Sequence, residues 1–170
     1  LALPQLGDGD RRPTKVVANI PYNITGPLLE RLVGRLDRPV DPPYQRLVLL
    51  VQQEVARRIS ARPGQSSFSA LSVRMQLLAD CSSVCPVPPR CFQPPPKVQS
   101  EVISIDPKTA DQRPPQAVAK QLERLLRLAF GARRKMVRNT LASAESSGLP
   151  QWRRSSSAAL TIKLLPSTGN

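Results

Sequence analysis

The apolar positions change period several times along the chain, and each change marks a predicted element. Residues 15–19, KVVAN, are a short β-branched run bounded by Pro21, which predicts a buried strand. From Thr25, read as an N-cap with Pro27 behind it, the positions Leu28, Leu29, Leu32, Val33 and Leu36 follow helical spacing. RLVLLVQ at residues 46–52 predicts a core strand, followed after Gln53 by the helical EVARRI. Phe68, Leu71, Val73, Met75, Leu77 and Leu78 predict another helix, ending near Ala79. Residues 82–98, SSVCPVPPRCFQPPPKV, hold six prolines in seventeen positions, so no helix runs through them. They read as an edge strand and then a stiff extended loop. SEVISID at residues 100–106 alternates like a half-exposed strand, and residues 117–130 form an amphipathic helix. Its apolar side is expected to hold Val118, Leu122, Leu125, Leu126 and Ala129.

Strands alternating with helices and closing in a Pro-bounded hairpin predict an α/β fold, the second half of such a sheet. Residues 1–14 read as a loop. Residues 1–106 are assigned to one α/β unit, 107–141 to a basic helical segment, and the Ser-rich residues 142–170 to no element. A glycine-rich strand-to-helix turn that would cradle a nucleotide is not among these residues. The chain opens on Leu1 rather than methionine, which points to a fragment of something longer.

Charge narrows the partners. Lys and Arg number 25 against 12 acids, a net charge of +13, so a polyanion is expected, with nucleic acid ahead of a membrane surface. The chain has no histidine, which excludes Ser-His-Asp triads, Cys-His pairs and every histidine-containing metal site. Cys81, Cys85 and Cys91 lack the paired spacing of a zinc ribbon and the even count of a disulfide framework. They read as packing residues and reduced thiols of a cytoplasmic protein, with no metal. The longest aliphatic run, residues 47–51, is far too short to span a bilayer, and the N-terminus has no signal-peptide order.

Two short motifs carry candidate chemistry. Asn19-Ile20-Pro21-Tyr22 follows a strand at the end where parallel sheets bind ligands. Asn19 offers an amide carbonyl, Ile20 a main-chain carbonyl, Pro21 a stiff turn and Tyr22 a flat ring. Two acceptors and a ring suit a planar substrate with an exocyclic amino group, such as adenine. The same tetrapeptide also fits a plain turn with a packed tyrosine. Phe92, ahead of Pro94, Pro95, Pro96, Lys97 and Val98 and then Ser100 and Val102, sits on a stiff rod that holds its ring as a second stacking surface, or as a hydrophobic plug for the last strand.

Taken in order, NIPYNITGPL, LLVQQEVARRI, FSALSVRMQ, VPPRCFQPPPKVQSEVI and AFGARRKMVRNTL resemble the ribosomal RNA adenine dimethyltransferase family, over residues 15–141. The resemblance implies a class I, Rossmann-like methyltransferase sheet that uses S-adenosylmethionine. It implies two N6 methyl groups on each of two adjacent adenosines near the 3′ end of small-subunit rRNA. Asn19 matches the position near both the S-adenosylmethionine and the target amino group, and Ile20 the one whose carbonyl takes a second N6 hydrogen bond. Tyr22 and Phe92 match the rings on either side of the flipped adenine, with Pro21 between the acceptors and the first ring. The main cofactor site would lie upstream of residue 1, so a chain limited to these residues is expected to be silent alone. The resemblance further implies a small-subunit precursor particle as partner and a monomer at full length. The basic RRKMVRNTL favours the small-subunit enzymes over the large-subunit, macrolide-resistance type.

After residue 112 come eleven Lys/Arg and two acids, Glu123 and Glu145, and most of the charge excess lies there. Arg124 and Arg127 read as a solvated helix face. Arg133, Arg134, Lys135 and Arg138 are four cations in six positions, and phosphate contact is expected there. Arg57 and Arg58 fit RNA contact and a solvated face equally. An RNA-binding or assembly module without methyl transfer stays open as the competing function.

Overall fold

The computed structural model describes residues 13–41 and 44–131. Four strands form one sheet in the order β1, β4, β6, β5: β1 Lys15–Asn19, β4 Arg46–Gln52, β5 Ala79–Val87 and β6 Ser100–Pro107. β1 runs parallel to β4, and β6 pairs antiparallel with both β4 and β5. Helices α1 Thr25–Val33, α2 Gln53–Ser60, α3 Ala70–Leu78 and α4 Gln116–Gly131 complete the fold, with a two-residue-per-strand hairpin, β2 Gly34–Arg35 and β3 Arg38–Pro39. The expected α/β alternation is what the chain adopts.

β4 is central because its inward side chains are all large and aliphatic. Leu47, Leu49 and Val51 are fully buried with Ile103 and Ile105 of β6. Leu29, Leu32 and Val33 of α1, Ile59 of α2 and Met75 and Leu78 of α3 close over them. Each such side chain contributes roughly 1.5–3 kcal/mol of transfer free energy. The other face of β4, at Val48 and Leu50, is only half-buried among the described residues.

β1 departs from the buried strand its composition predicts. Its residues alternate, and Val17 is 82% exposed on the face it shares with its ladder partner Val48, which is itself only half-buried. β5 occupies the other end, where Pro86 within the strand is tolerated because an edge needs only one ladder.

Local chemistry sets the helix ends, with some corrections to the sequence reading. Thr25 is the first helical residue rather than the cap, and its hydroxyl donates to the Tyr22 carbonyl at 3.3 Å. α1 stops at Gly34, whose φ of +90° belongs to glycine; a Cβ there would lie 2.6 Å from the Arg38 carbonyl oxygen. Phe68 falls before α3 rather than in it. Ser69 caps that helix in a reciprocal box with Ser72, whose buried hydroxyl also donates to the Arg58 carbonyl.

α4 buries part of the stripe its leucines predict, with Leu126 in the core and Leu122 packed against it, and adds two residues that the leucine pattern does not name. Ala119, Glu123 and Leu126 face the core, while Val118 is 45% exposed. Glu123, 1% exposed, is held by Arg74 at 2.6 and 3.1 Å and by Arg35 at 3.4 Å. A carboxylate is buried here because two guanidinium groups replace its water. No helix of the described residues is long and apolar enough to cross a membrane.

Candidate target-base cleft

The cleft assembles at the carboxyl end of β1. The β1–β4 ladder ends at Asn19 opposite Leu50, and the Ile20 amide adds one more bond to the Leu50 carbonyl at 3.2 Å. That bond and the burial of Ile20 (1% exposed) fix the chain where it leaves the sheet. Pro21 then turns it into a short 3-10 turn, Tyr22–Ile24, closed by the Ile24 amide on the Pro21 carbonyl at 3.1 Å. Asn19 is exposed and Tyr22 half-buried at this corner.

The second wall comes from 70 residues on. The segment between β5 and β6 brings Phe92, Pro94 and Pro96 against Asn19, Ile20, Pro21 and Tyr22, enclosing an open cleft of about 210 Å³. One polar bond clamps the two walls. The Tyr22 hydroxyl and the Ser100 hydroxyl lie 2.6 Å apart, and Ser100 is fully buried at the start of β6. The register places Ser100 opposite Gln52 of β4, so the end of the central strand, the tyrosine and the proline segment share one anchor.

All five residues singled out as catalytic, Asn19, Ile20, Pro21, Tyr22 and Phe92, thus line one cavity. Ser100, which stands just behind the Phe92 motif in sequence, belongs with them, and the structure adds its partner 78 positions away. Pro94 and Pro96 stand in the motif yet also wall the cleft, beyond their part in stiffening the Phe92 segment. An amide, a main-chain turn and two rings around a volume of this size can accept hydrogen bonds from a planar heterocycle and stack on it.

Arg57 and Arg58 are not in this cleft. They line a neighbouring groove of about 620 Å³ between α2 and the 66–69 loop. Arg58 pairs with Glu54 one turn back at 2.6 Å, whereas Arg57 is exposed without an ion pair among the described residues. Arg133, Arg134, Lys135 and Arg138 lie outside the described residues. Cys81 is mostly buried, and burial, with Asp80 beside it, pushes its thiol up to about 12; Cys85 and Cys91 are exposed. No group of three or more Cys, Asp or Glu that could hold a metal ion is found among the described residues.

A family model described as ribosomal RNA adenine dimethylase matches residues 5–164. Ribosomal RNA small subunit methyltransferase A of Synechococcus sp. (strain RCC307) is 89% identical over 153 residues, covering 89% of this chain and 56% of its own length. The protein of the same name from Synechococcus sp. (strain WH7803) is 73% identical over 145 residues, covering 85% and 52%. The chain spans about half the length of the curated relatives it matches. Among solved structures, a dimethyladenosine transferase from Plasmodium falciparum superposes with a TM-score of 0.62 at 28% identity, over 81% of this chain and 47% of that one. The 23S rRNA methyltransferase ErmE superposes at 0.58 and 24% identity, over 79% and 52%, a likeness of fold alone. The sheet is therefore of the class I methyltransferase type, and the chain belongs to the ribosomal RNA adenine dimethylase family.

Proposed function

We propose that this chain takes part in methyl transfer from S-adenosylmethionine to N6 of two adjacent adenosines near the 3′ end of small-subunit ribosomal RNA. The observation that carries the reading is the cleft itself, which joins Asn19, Ile20 and Tyr22 to Phe92 across 70 residues of sequence. The names of the highly identical relatives favour the small over the large subunit.

In this reading Tyr22 and Phe92 take the flipped adenine between them. Stacking of this kind is worth roughly 1–3 kcal/mol per base, comparable with the few kcal/mol that unstacking costs. Ser100 holds the Tyr22 hydroxyl, so the ring is fixed before the base arrives. The Asn19 amide oxygen accepts one N6 hydrogen and the Ile20 carbonyl the other. Adenine N6 is a poor nucleophile because its lone pair is spread into the ring. Two acceptors pull the amine toward a tetrahedral form and aim that lone pair, a gain of orientation rather than of basicity. Bound S-adenosylmethionine supplies a methyl group on a sulfonium, a good leaving group. Asn19, an exposed amide at the end of β1, is the described residue suited to meet both cofactor and base. After methylation N6 is strongly acidic, and its proton passes to water in the open cleft, so the absence of histidine is no obstacle.

The rest of the reading follows from charge. Arg133, Arg134, Lys135 and Arg138 contact rRNA phosphates of the small-subunit precursor, in a monomeric cytoplasmic protein. Asn19→Ala, made in the protein as expressed from its own gene, is expected to lower single-turnover methylation of small-subunit particles at least about 100-fold, with particle binding kept. Activity within threefold of the parent would refute the role of Asn19, and a parent that transfers no methyl group would refute the function.

A further inference from the structure

The groove beside the cleft has a mixed lining of polar, charged and aromatic side chains. It is lined by Gln52, Gln53, Arg57, Ser66, Phe68 and Gln99 among others, so amides, hydroxyls, two guanidinium groups, one carboxylate and one ring line a common space of about 620 Å³. Its acid, Glu54, is answered by Arg58 at 2.6 Å, which leaves the exposed Arg57 as the groove's uncompensated charge among the described residues. Phe68 is half-buried, and Phe130 meets it edge-on with centroids 6.2 Å apart. A ring supported in this way keeps its position with no ligand bound.

The groove and the cleft draw on one segment of chain. Pro96 lines the cleft and Val98 lines the groove, two residues apart and at most about 7 Å along the chain. The Gln53 amide donates to the Gln99 carbonyl at 3.0 Å, and the next residue, Ser100, holds Tyr22. These two bonds tie the 99–100 segment to α2 on one side and to Tyr22 on the other.

We propose that this groove holds the RNA strand flanking the target adenosine, with a neighbouring base stacked on Phe68 and a phosphate on Arg57. The proposal rests on the reading of the cleft as the target-base pocket. Cation, ring and flexible amides in one channel are what sequence-tolerant binding of single strands uses. The chain's charge of +13 supplies the long-range attraction.

The test uses a short single-stranded RNA with two adjacent adenosines, carrying 4-thiouridine beside them in one version and 8-azidoadenosine at the target position in another. After irradiation with the unmodified 170-residue chain, the thiouridine is expected on peptides holding Phe68 or residues 53–57, and the azidoadenosine on those holding Tyr22 or Phe92. Azidoadenosine on the cleft with no thiouridine in the groove overturns this proposal alone. Cross-links in neither place, or no binding of the RNA, overturn both readings. Arg57→Gln should lower the slope of log affinity against log salt by about 0.7, and Phe68→Leu should weaken binding about fivefold or more. Unchanged slope and affinity in both variants would also overturn the groove. Arg57 is exposed and makes no ion pair among the described residues, so its replacement leaves the fold intact.

Discussion

Tyr22→Phe isolates the bond that joins the two walls of the cleft. In the parent the two hydroxyl oxygens are 2.6 Å apart, and Ser100 is fully buried while Tyr22 is half-buried. Removing the tyrosine hydroxyl leaves a buried serine hydroxyl without a protein partner, at a cost of about 1.5 kcal/mol. Ser100→Ala leaves the tyrosine hydroxyl, which reaches water, and should cost about 1 kcal/mol. The double variant loses the same bond only once, so it should cost about 1.5 kcal/mol rather than the sum, a coupling of about 1 kcal/mol. Urea unfolding followed by circular dichroism reads this directly. With slopes of roughly 1–3 kcal/mol per molar, Tyr22→Phe should lower the midpoint by about 0.5–1.5 M. Strict additivity of the two single variants would show that the hydroxyls do not interact, and the anchoring argument for the ring would fail with it.

Glu123→Gln should lower stability by about 2–4 kcal/mol, since Arg74 loses its charged partner while Arg35 keeps Asp37 and Glu30. Thermal unfolding should show a fall of roughly 5–15 °C, and a change under 2 °C would refute the burial argument. Cys81, pushed up to about 12 from an ordinary 9.0, stays protonated in the folded chain where the unfolded chain ionises. Its contribution to stability is therefore level below pH 9 and declines above it, and Cys81→Ala should flatten the stability profile between pH 9 and 11. A profile identical to the parent's would place that thiol in water. Replacing Arg133, Arg134 and Lys135 with alanine should flatten the salt dependence of RNA binding by roughly 0.7–0.9 for each phosphate left unneutralised, and an unchanged slope would return them to a solvated surface.

The sequence by itself determined the elements and the chemistry at their ends. RLVLLVQ can bury one face only as a central strand, and β4 is that strand. NIPY ends a β-branched run, so its amide and ring had to project where β1 leaves the sheet. Those features are local, because period and turn chemistry act over a few residues. Tertiary structure decided what depends on register and on neighbours from elsewhere in the chain. Ser100 reaches Tyr22 only because β6 pairs with β4 at Gln52. Glu123 is buried rather than solvated because Arg35 and Arg74, from the first hairpin and α3, converge on it. Val17 is exposed, despite its β-branched context, because it lies on the sheet face that it shares with the half-buried Val48, opposite the buried face of β4. Phe68 lines the groove from the segment before α3, since Ser69 caps the helix and Ala70 begins it. A hydrophobic pattern says which side chains leave water, but only the packed chain says which polar groups go with them, since that depends on a partner meeting each one.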